Sequence, residues 1–303
     1  KTIKENELKS ISFHVLLSGL LLMRRAVISG STCIPWTELR TQISKILVNS
    51  GFSEDEFFHE NWKIWLLSIS SRGEQIKYQS AGQPVIIEHN SLFYLDKFWK
   101  REIKLISLLR NRLSMNLKKI ERPVIENVLK NVLEVNPVLF RGKPLVLAEE
   151  QKEAVLQAIT SPLSIVTGGP GTGKTSVALT ILRVHKMLGL AERPALVAPT
   201  GRAANRMSES VINGLNSIKD LNKLKHDTEL LKFAADAKTL HRLLGYHLNR
   251  QSFRHHEYDP LEHDLLIIDE GSMIDQELMV RLLKASNSKL PYILPVQRII
   301  ILG

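Results

Sequence analysis

Eight consecutive residues limit what this chain can fold into more than anything else in it: Gly168-Gly169-Pro170-Gly171-Thr172-Gly173-Lys174-Thr175 fill every position of G-x-x-x-x-G-K-[ST]. The apolar run Leu163-Ser164-Ile165-Val166 precedes them and a helix-like run follows. A strand that delivers the chain into a glycine turn, with a helix opening directly behind it, aims successive backbone N–H groups and the positive end of the helix dipole at one point. Such a point binds oxyanions. Lys174 is placed to reach the β- and γ-phosphates of a nucleotide, and the Thr175 hydroxyl to ligate Mg²⁺. The plain alternative is a glycine-rich turn with no ligand, and the order strand, loop, helix weighs against it.

From residue 145 short β-rich runs alternate with helical patterns, which predicts a parallel sheet wrapped by helices. The expected strands are Leu163–Val166, 195–198, Leu265–Ile268 and Arg298–Leu302. Each ends where a motif begins, and open α/β sheets bind ligands beyond the carboxyl ends of their strands. The run Leu265-Leu266-Ile267-Ile268 ends in Asp269-Glu270, a pair suited to holding Mg²⁺ and orienting the attacking water. Read blandly, it is a buried strand with an acidic surface turn. Lys174 and the acidic pair are expected to converge from neighbouring strand tips on one triphosphate.

Three weaker signals surround this core. Gln151, in Leu147-Ala148-Glu149-Glu150-Gln151, carries both a donor and an acceptor and suits an adenine edge, although a glutamine at a helix start is ordinarily a surface residue. The segments Ala198-Pro199-Thr200-Gly201-Arg202-Ala203-Ala204 and Thr239-Leu240-His241-Arg242-Leu243-Leu244-Gly245 bring hydroxyls, exposed N–H groups and cations that suit a nucleic-acid backbone. Alone, each reads equally well as loop plus helix; together they predict one side of a strand-binding channel.

The front of the chain has a different texture. Apolar residues recur at helical spacing from Ile11 to about Phe58, as in Leu39, Ile43, Ile46 and Leu47, with Pro35 and Thr37 as a start signal. Residues 84–88 and 91–95 around His89-Asn90 predict a β-hairpin, followed by a helix through Trp99, Ile103, Ile106 and 109–113. Its interleaved Lys97, Lys100, Arg101, Lys104, Arg110 and Arg112 are either a DNA-facing stripe or the solvated side of an amphipathic helix. Pro123, Pro137 and Pro144 suggest a junction at 121–144. The expected organisation is a mainly helical docking domain with a β-hairpin over 1–120, a linker over 121–144, and an α/β domain over 145–303.

Charge is uneven. The net charge is +10, and residues 1–147 hold 22 Lys+Arg against 14 Asp+Glu while the remainder holds 19 against 17. The basic front half therefore favours a polyanionic partner, either nucleic acid or an acidic protein surface. The lone Cys33 cannot form an intrachain disulfide and fits a reducing compartment. His255-His256 is the tightest histidine pair, and adjacent side chains point apart, which favours an exposed or DNA-facing pair over a metal site. The apolar run 11–23, closed by Arg24-Arg25, reads as a core helix too short to cross a bilayer. A secretory signal is not expected, and the chain opens with Lys1, which suggests a missing start.

Taken together, Gln151, GGPGTGKT at 168–175, APTGRAA at 198–204, TLHRLLG at 239–245 and IIDEGSMID at 267–275 resemble the superfamily 1 DNA helicases of the RecD type. Phe253-Arg254-His255-His256 with Pro260-Leu261, and the front-half stretch Tyr94-Leu95-Asp96-Lys97-Phe98-Trp99, narrow the resemblance to the alpha subunits of bacterial exodeoxyribonuclease V. That resemblance implies a RecA-like P-loop NTPase domain and an ATP- and Mg²⁺-dependent motor moving five-prime to three-prime on single-stranded DNA. It further implies a cytoplasmic heterotrimer with RecB and RecC subunits, a nuclease site in another subunit, and a role in double-strand break repair and recombination. Lys174, Asp269 and Glu270 would be catalytic. Gln151 and the loop residues Gly168, Gly169, Pro170, Gly171, Thr172, Gly173, Lys174 and Thr175 would bind ATP, with Thr175 and Asp269 on Mg²⁺. Pro199, Thr200, Arg202, Thr239 and His241 would line the DNA path.

Two departures stand out. Gly271 occupies a position where the family commonly has alanine, which implies a looser turn after the acidic pair. The strand ending at Gly303 is followed in the family by an aspartate and a glutamine and later by a second motor lobe with its arginine finger. A finger is worth about 10³–10⁵ in rate, so these 303 residues alone are expected to bind nucleotide weakly and not to unwind. Two other readings remain: a P-loop switch or kinase acting on a different ligand, and a non-catalytic docking module.

Overall fold

The computed structural model describes residues 5–53, 59–68, 86–140, 142–169, 171–219, 225–290, 292 and 294–303. They divide between Lys104 and Leu105 into two compact units. In the first, α1 (Glu5–Ile28), β1 (Cys33–Pro35), α2 (Trp36–Asn49), α3 (His59–Ser68), β2 (Ile86–His89) and β3 (Leu92–Leu95) are followed by α4 (Asp96–Leu113), whose residues from Leu105 onward, Arg112 included, belong to the second unit. The strands form an antiparallel sheet in the order β1-β3-β2. Val15, Leu39, Ile43, Leu47, Trp62 and Phe93 fill its core, so the i, i+4, i+8 spacing on α2 marks the buried face.

Three expectations about this unit need correction. The hairpin turn is Asn90-Ser91, with φ of 50° and 62°; His89 stays in β2 opposite Leu92. Two successive left-handed residues give a turn whose twist matches the strands. Pro84 and Val85 lie outside the described residues. Secondly, α1 does not stop at Arg24-Arg25, because both cations are exposed and leave the helix free to run to Ile28. Its Ser10–Ile28 stretch, mean hydropathy 1.6, is by length and composition long and apolar enough to cross a membrane; it nevertheless buries Ile11, Val15, Leu22 and Met23 in the unit's core. Thirdly, the cations of α4 are not one stripe. Lys100 pairs with Asp96 at 2.6 Å, Arg101 lies over the Phe98 ring, and Arg112 is fully buried, donating to the carbonyls of Val296 at 2.6 Å and Pro162 at 3.2 Å. Burial, then the charge of Arg298, lowers the Arg112 pKa to about 10, which leaves it charged at neutral pH.

The second unit continues with α5 (Arg122–Lys130), a π turn at Asn131–Val135, β4 (Leu139–Phe140), β5 (Lys143–Pro144), α6 (Glu149–Thr160) and β6 (Leu163–Val166). Next come α7 (Lys174–Met187), β7 (Pro194–Ala198), α8 (Gly201–Asn216), α9 (Lys225–Ala235), β8 (Lys238–Thr239) and α10 (Leu240–Leu243). A small hairpin of β9 (Tyr246–His247) and β10 (Ser252–Phe253) leads to β11 (Leu265–Ile268), α11 (Gln276–Ser286) and β12 (Arg298–Leu302). The five-stranded sheet has the order β6-β12-β11-β7-β8, and all its pairings are parallel. This is the expected α/β sheet with flanking helices.

Both faces of that sheet are covered, as its unbroken apolar strands require. Leu265, Ile267, Ile300 and Leu302 turn to a layer that includes Ile181, Leu182, Met207 and Val211 of α7 and α8. Leu266, Ile268, Ile299 and Ile301 turn to the other layer, with Leu240, Leu243, Leu278 and Leu282 of α10 and α11. The period of two along each strand divides one run of isoleucines and leucines between two cores. The region expected as a linker, 121–144, contributes Ile125, Leu129 and Val132 to the first of them. Pro123 misleads because it sits in the first turn of α5, where its missing N–H and fixed φ suit a helix start. Inside the same layer Arg183 of α7 makes a two-pronged ion pair with Asp227 of α9, at 2.7 and 3.1 Å, with both side chains almost fully buried.

Candidate nucleotide site

At the carboxyl edge of the sheet a cleft of about 840 Å³ is lined by Gln151, Gly171 to Thr175, Asp269 and Glu270. The loop after β6 reaches it through Gly171 and Gly173, both at φ of 78°, a conformation in which any residue with a Cβ is strained. Gly173 then serves as the N-cap of α7, so Lys174 and Thr175 open the helix and its dipole faces the cleft. Thr172 closes the turn by donating its hydroxyl to the Gly169 carbonyl at 2.9 Å. Lys174 Nζ donates to the Gly168 and Gly169 carbonyls at 2.5 and 3.0 Å, which folds the ammonium over the loop. Pro170 lies outside the described residues.

The acidic pair arrives from β11. The strand tips are not neighbours: β12 lies between β6 and β11. The chain leaves β6, crosses to β7 and returns through β11 before β12 fills the middle, so the two motifs flank a crevice instead of abutting. Asp269 accepts a hydrogen bond from the Glu270 N–H at 2.9 Å, and Glu270 has a φ of 53°. A non-glycine residue in the left-handed region costs about 1–3 kcal/mol and persists only where its surroundings hold it. Here Gly271 does part of the holding. A Cβ added to it would sit 2.1 Å from Ile301 Cγ2 and 3.2 Å from the Leu302 carbonyl oxygen, so glycine marks close approach to β12, not the looser turn expected.

Thr175 and Asp269 line one cleft, and among the described residues no cluster of three or more His, Cys, Asp or Glu is placed to hold a metal. Two oxygen donors beside a phosphate loop fit a cation such as Mg²⁺ that keeps waters and takes substrate phosphates as ligands. Gln151 is engaged on both sides of its amide. Its oxygen accepts from the Ala148 N–H at 2.9 Å and its nitrogen donates to the Thr172 carbonyl at 2.8 Å, so it clasps the phosphate loop to the start of α6.

The nucleic-acid candidates sit further along the same edge, where Ala198 of β7 is in register with Thr239 of β8. Thr200 caps α8 by accepting from the Ala203 N–H at 3.2 Å, and Thr239 caps α10 by accepting from the Arg242 N–H at 3.2 Å. Pro199 is partly exposed, and Arg202 and His241 are exposed. The His241 ring lies against Tyr246 and Phe253, at centroid separations of 5.5 and 5.7 Å. His255 and His256 both make local hydrogen bonds, to the Asp259 carbonyl and from the Tyr258 N–H. The cleft residues that the sequence does not single out include Phe140 of β4, an apolar residue between prolines, and Arg206 of α8, one cation among several.

A model of the AAA domain family matches residues 151–297. The RecBCD enzyme subunit RecD of Mycolicibacterium smegmatis is 34% identical over 94% of this chain and 45% of its own length. The same subunit of Haemophilus influenzae is 40% identical over 50% of this chain and 23% of its own. The ATP-dependent RecD2 DNA helicase of Deinococcus radiodurans is 38% identical over 46% of this chain and 16% of its own. The chain thus spans less than half the length of these relatives. With the phosphate loop, the acidic strand and the parallel sheet in place, and with the similarity running into the first unit, the chain is similar to RecD subunits over nearly its whole length.

Proposed function

We propose that this protein is the ATP-hydrolysing motor subunit of a DNA helicase of the RecBCD type. The carrying observation is that Lys174, Thr175, Asp269 and Glu270 line one cleft at the sheet edge, with the Thr200 cap just beyond β7 and the Thr239 cap on the adjacent β8. In this reading the loop N–H groups and Lys174 hold the β- and γ-phosphates, Thr175 and Asp269 hold Mg²⁺, and bound Mg²⁺ supplies charge neutralisation. Glu270 orients a water and accepts its proton. The water oxygen bonds to the γ-phosphorus as the bond to the β,γ-bridging oxygen breaks, and that electron pair leaves with ADP. Gln151 exchanges its contact with Thr172 for the adenine edge, and Pro199, Thr200, Arg202, Thr239 and His241 follow the backbone of a single strand.

Assembly with RecB and RecC partners belongs to the same proposal, supported by the names of the relatives; movement from five-prime to three-prime, a nuclease site in another subunit and a cytoplasmic location are proposed with it on the resemblance of the motifs alone. The first unit is proposed as the docking domain. The test is ATP hydrolysis with and without single-stranded DNA: stimulation by the strand supports the motor, while a small-molecule kinase or switch would ignore it. The docking module is the second reading, favoured by the uneven charge. Partner binding that survives Lys174→Ala while hydrolysis is absent in the unmutated protein would favour it.

A further inference from the structure

Arg206 is the cation in the cleft that neither the phosphate loop nor the acidic strand accounts for. It lies on α8, six residues beyond the Thr200 cap. On that helix Ala203, Ala204, Met207, Val211 and Leu215 are buried, which fixes the helix against the sheet and leaves Arg206 at the cleft. Its guanidinium makes an ion pair with the Glu270 carboxylate. The carboxylate is thus held from three sides: by its left-handed backbone, by the hydrogen bond from its N–H to Asp269, and by Arg206. While it is bound to the guanidinium, the carboxylate has fewer lone pairs free to accept a hydrogen bond from a water.

Taking the motor reading as given, we infer that Arg206 is a positioning residue that holds Glu270 in a resting ion pair, and that α8 carries strand engagement at residues 199–202 to that pair. The Arg206 side chain is 62% exposed, so the pair is weak enough to open. Lys174 and Arg206 are the cations lining the cleft among the described residues. The strand-facing loop and Arg206 share one 16-residue helix, so a shift of its first turn moves the guanidinium with it.

The experiment is steady-state ATP hydrolysis by the protein in its complex, comparing unmutated, Arg206→Ala and Arg206→Lys forms with and without single-stranded DNA. Binding of a fluorescent ATP analogue is measured in parallel. Arg206→Ala is expected to raise kcat without DNA about two- to fivefold, the occupancy ratio an exposed ion pair sustains. The DNA-stimulated kcat and the KM should stay nearly unchanged, so the stimulation ratio shrinks, and Arg206→Lys should restore much of it. A DNA-free kcat that is unchanged or lower in Arg206→Ala, or a loss of ATP affinity, overturns the inference and makes Arg206 a phosphate ligand or a bystander. An unmutated protein indifferent to DNA overturns the motor reading as well, and that arm alone reports it.

Discussion

Gly271 and His185 show how much a single position carries here. Because a Cβ on Gly271 would overlap Ile301, Gly271→Ala must push the acidic turn away from β12. Overpacking of this kind costs about 1–3 kcal/mol, which chemical denaturation will read as a lowered midpoint at constant slope. His185 is fully buried on α7, bonded through Nδ1 to the Ile181 carbonyl at 2.8 Å, and its Nε2 is unpartnered. Desolvation, partly opposed by that hydrogen bond and reinforced by Arg298, lowers its pKa to about 3. The unfolded chain titrates near the ordinary value of about 6.5, so between these values it binds a proton that the folded chain refuses. Above that window His185 places no pH dependence on stability; as pH falls through it, stability is progressively lost. His185→Leu is expected to flatten that part of the stability–pH curve, and an unchanged slope would show that other groups set it.

At the scale of elements, α9 is attached to α7 by charge as well as by apolar packing. Removing one partner of the buried Arg183–Asp227 pair leaves the other charge uncompensated, so Asp227→Ala should cost about 3–5 kcal/mol in thermal or chemical unfolding. A cost below 1 kcal/mol would mean that water reaches Arg183. The four long strands of the parallel sheet are legible in the sequence because each is a short apolar run ending in a motif. The two-residue β8 is not, since its place beside β7 depends on a pairing that Lys238-Thr239 do not announce. For α4 the helical pattern is legible but its buried face is not. Leu105, Leu108 and Leu109 pack with the second unit's core, whereas Ile103 and Ile106, which fit the period equally well, are exposed.

At the scale of the molecule, the sequence contains the ingredients of the cleft and the structure contains their arrangement. That Lys174, Thr175, Asp269 and Glu270 belong to one candidate site is legible from residue type and spacing, because the phosphate-loop pattern admits few substitutes, and the four do line one cleft. Arg206 and Phe140 are not, because their roles come from where α8 and β4 end up. The insertion of β12 between the two motif-bearing strands likewise follows from connectivity that no local pattern encodes.

The central claim is that Lys174 and the Asp269-Glu270 pair act on one triphosphate, and turnover paired with binding tests it most directly. Glu270→Gln should retain ATP binding while losing about 10²-fold or more in kcat, as removal of a proton acceptor does, whereas Lys174→Ala should lose both. Hydrolysis by Glu270→Gln at the unmutated rate, or full ATP affinity in Lys174→Ala, would contradict it.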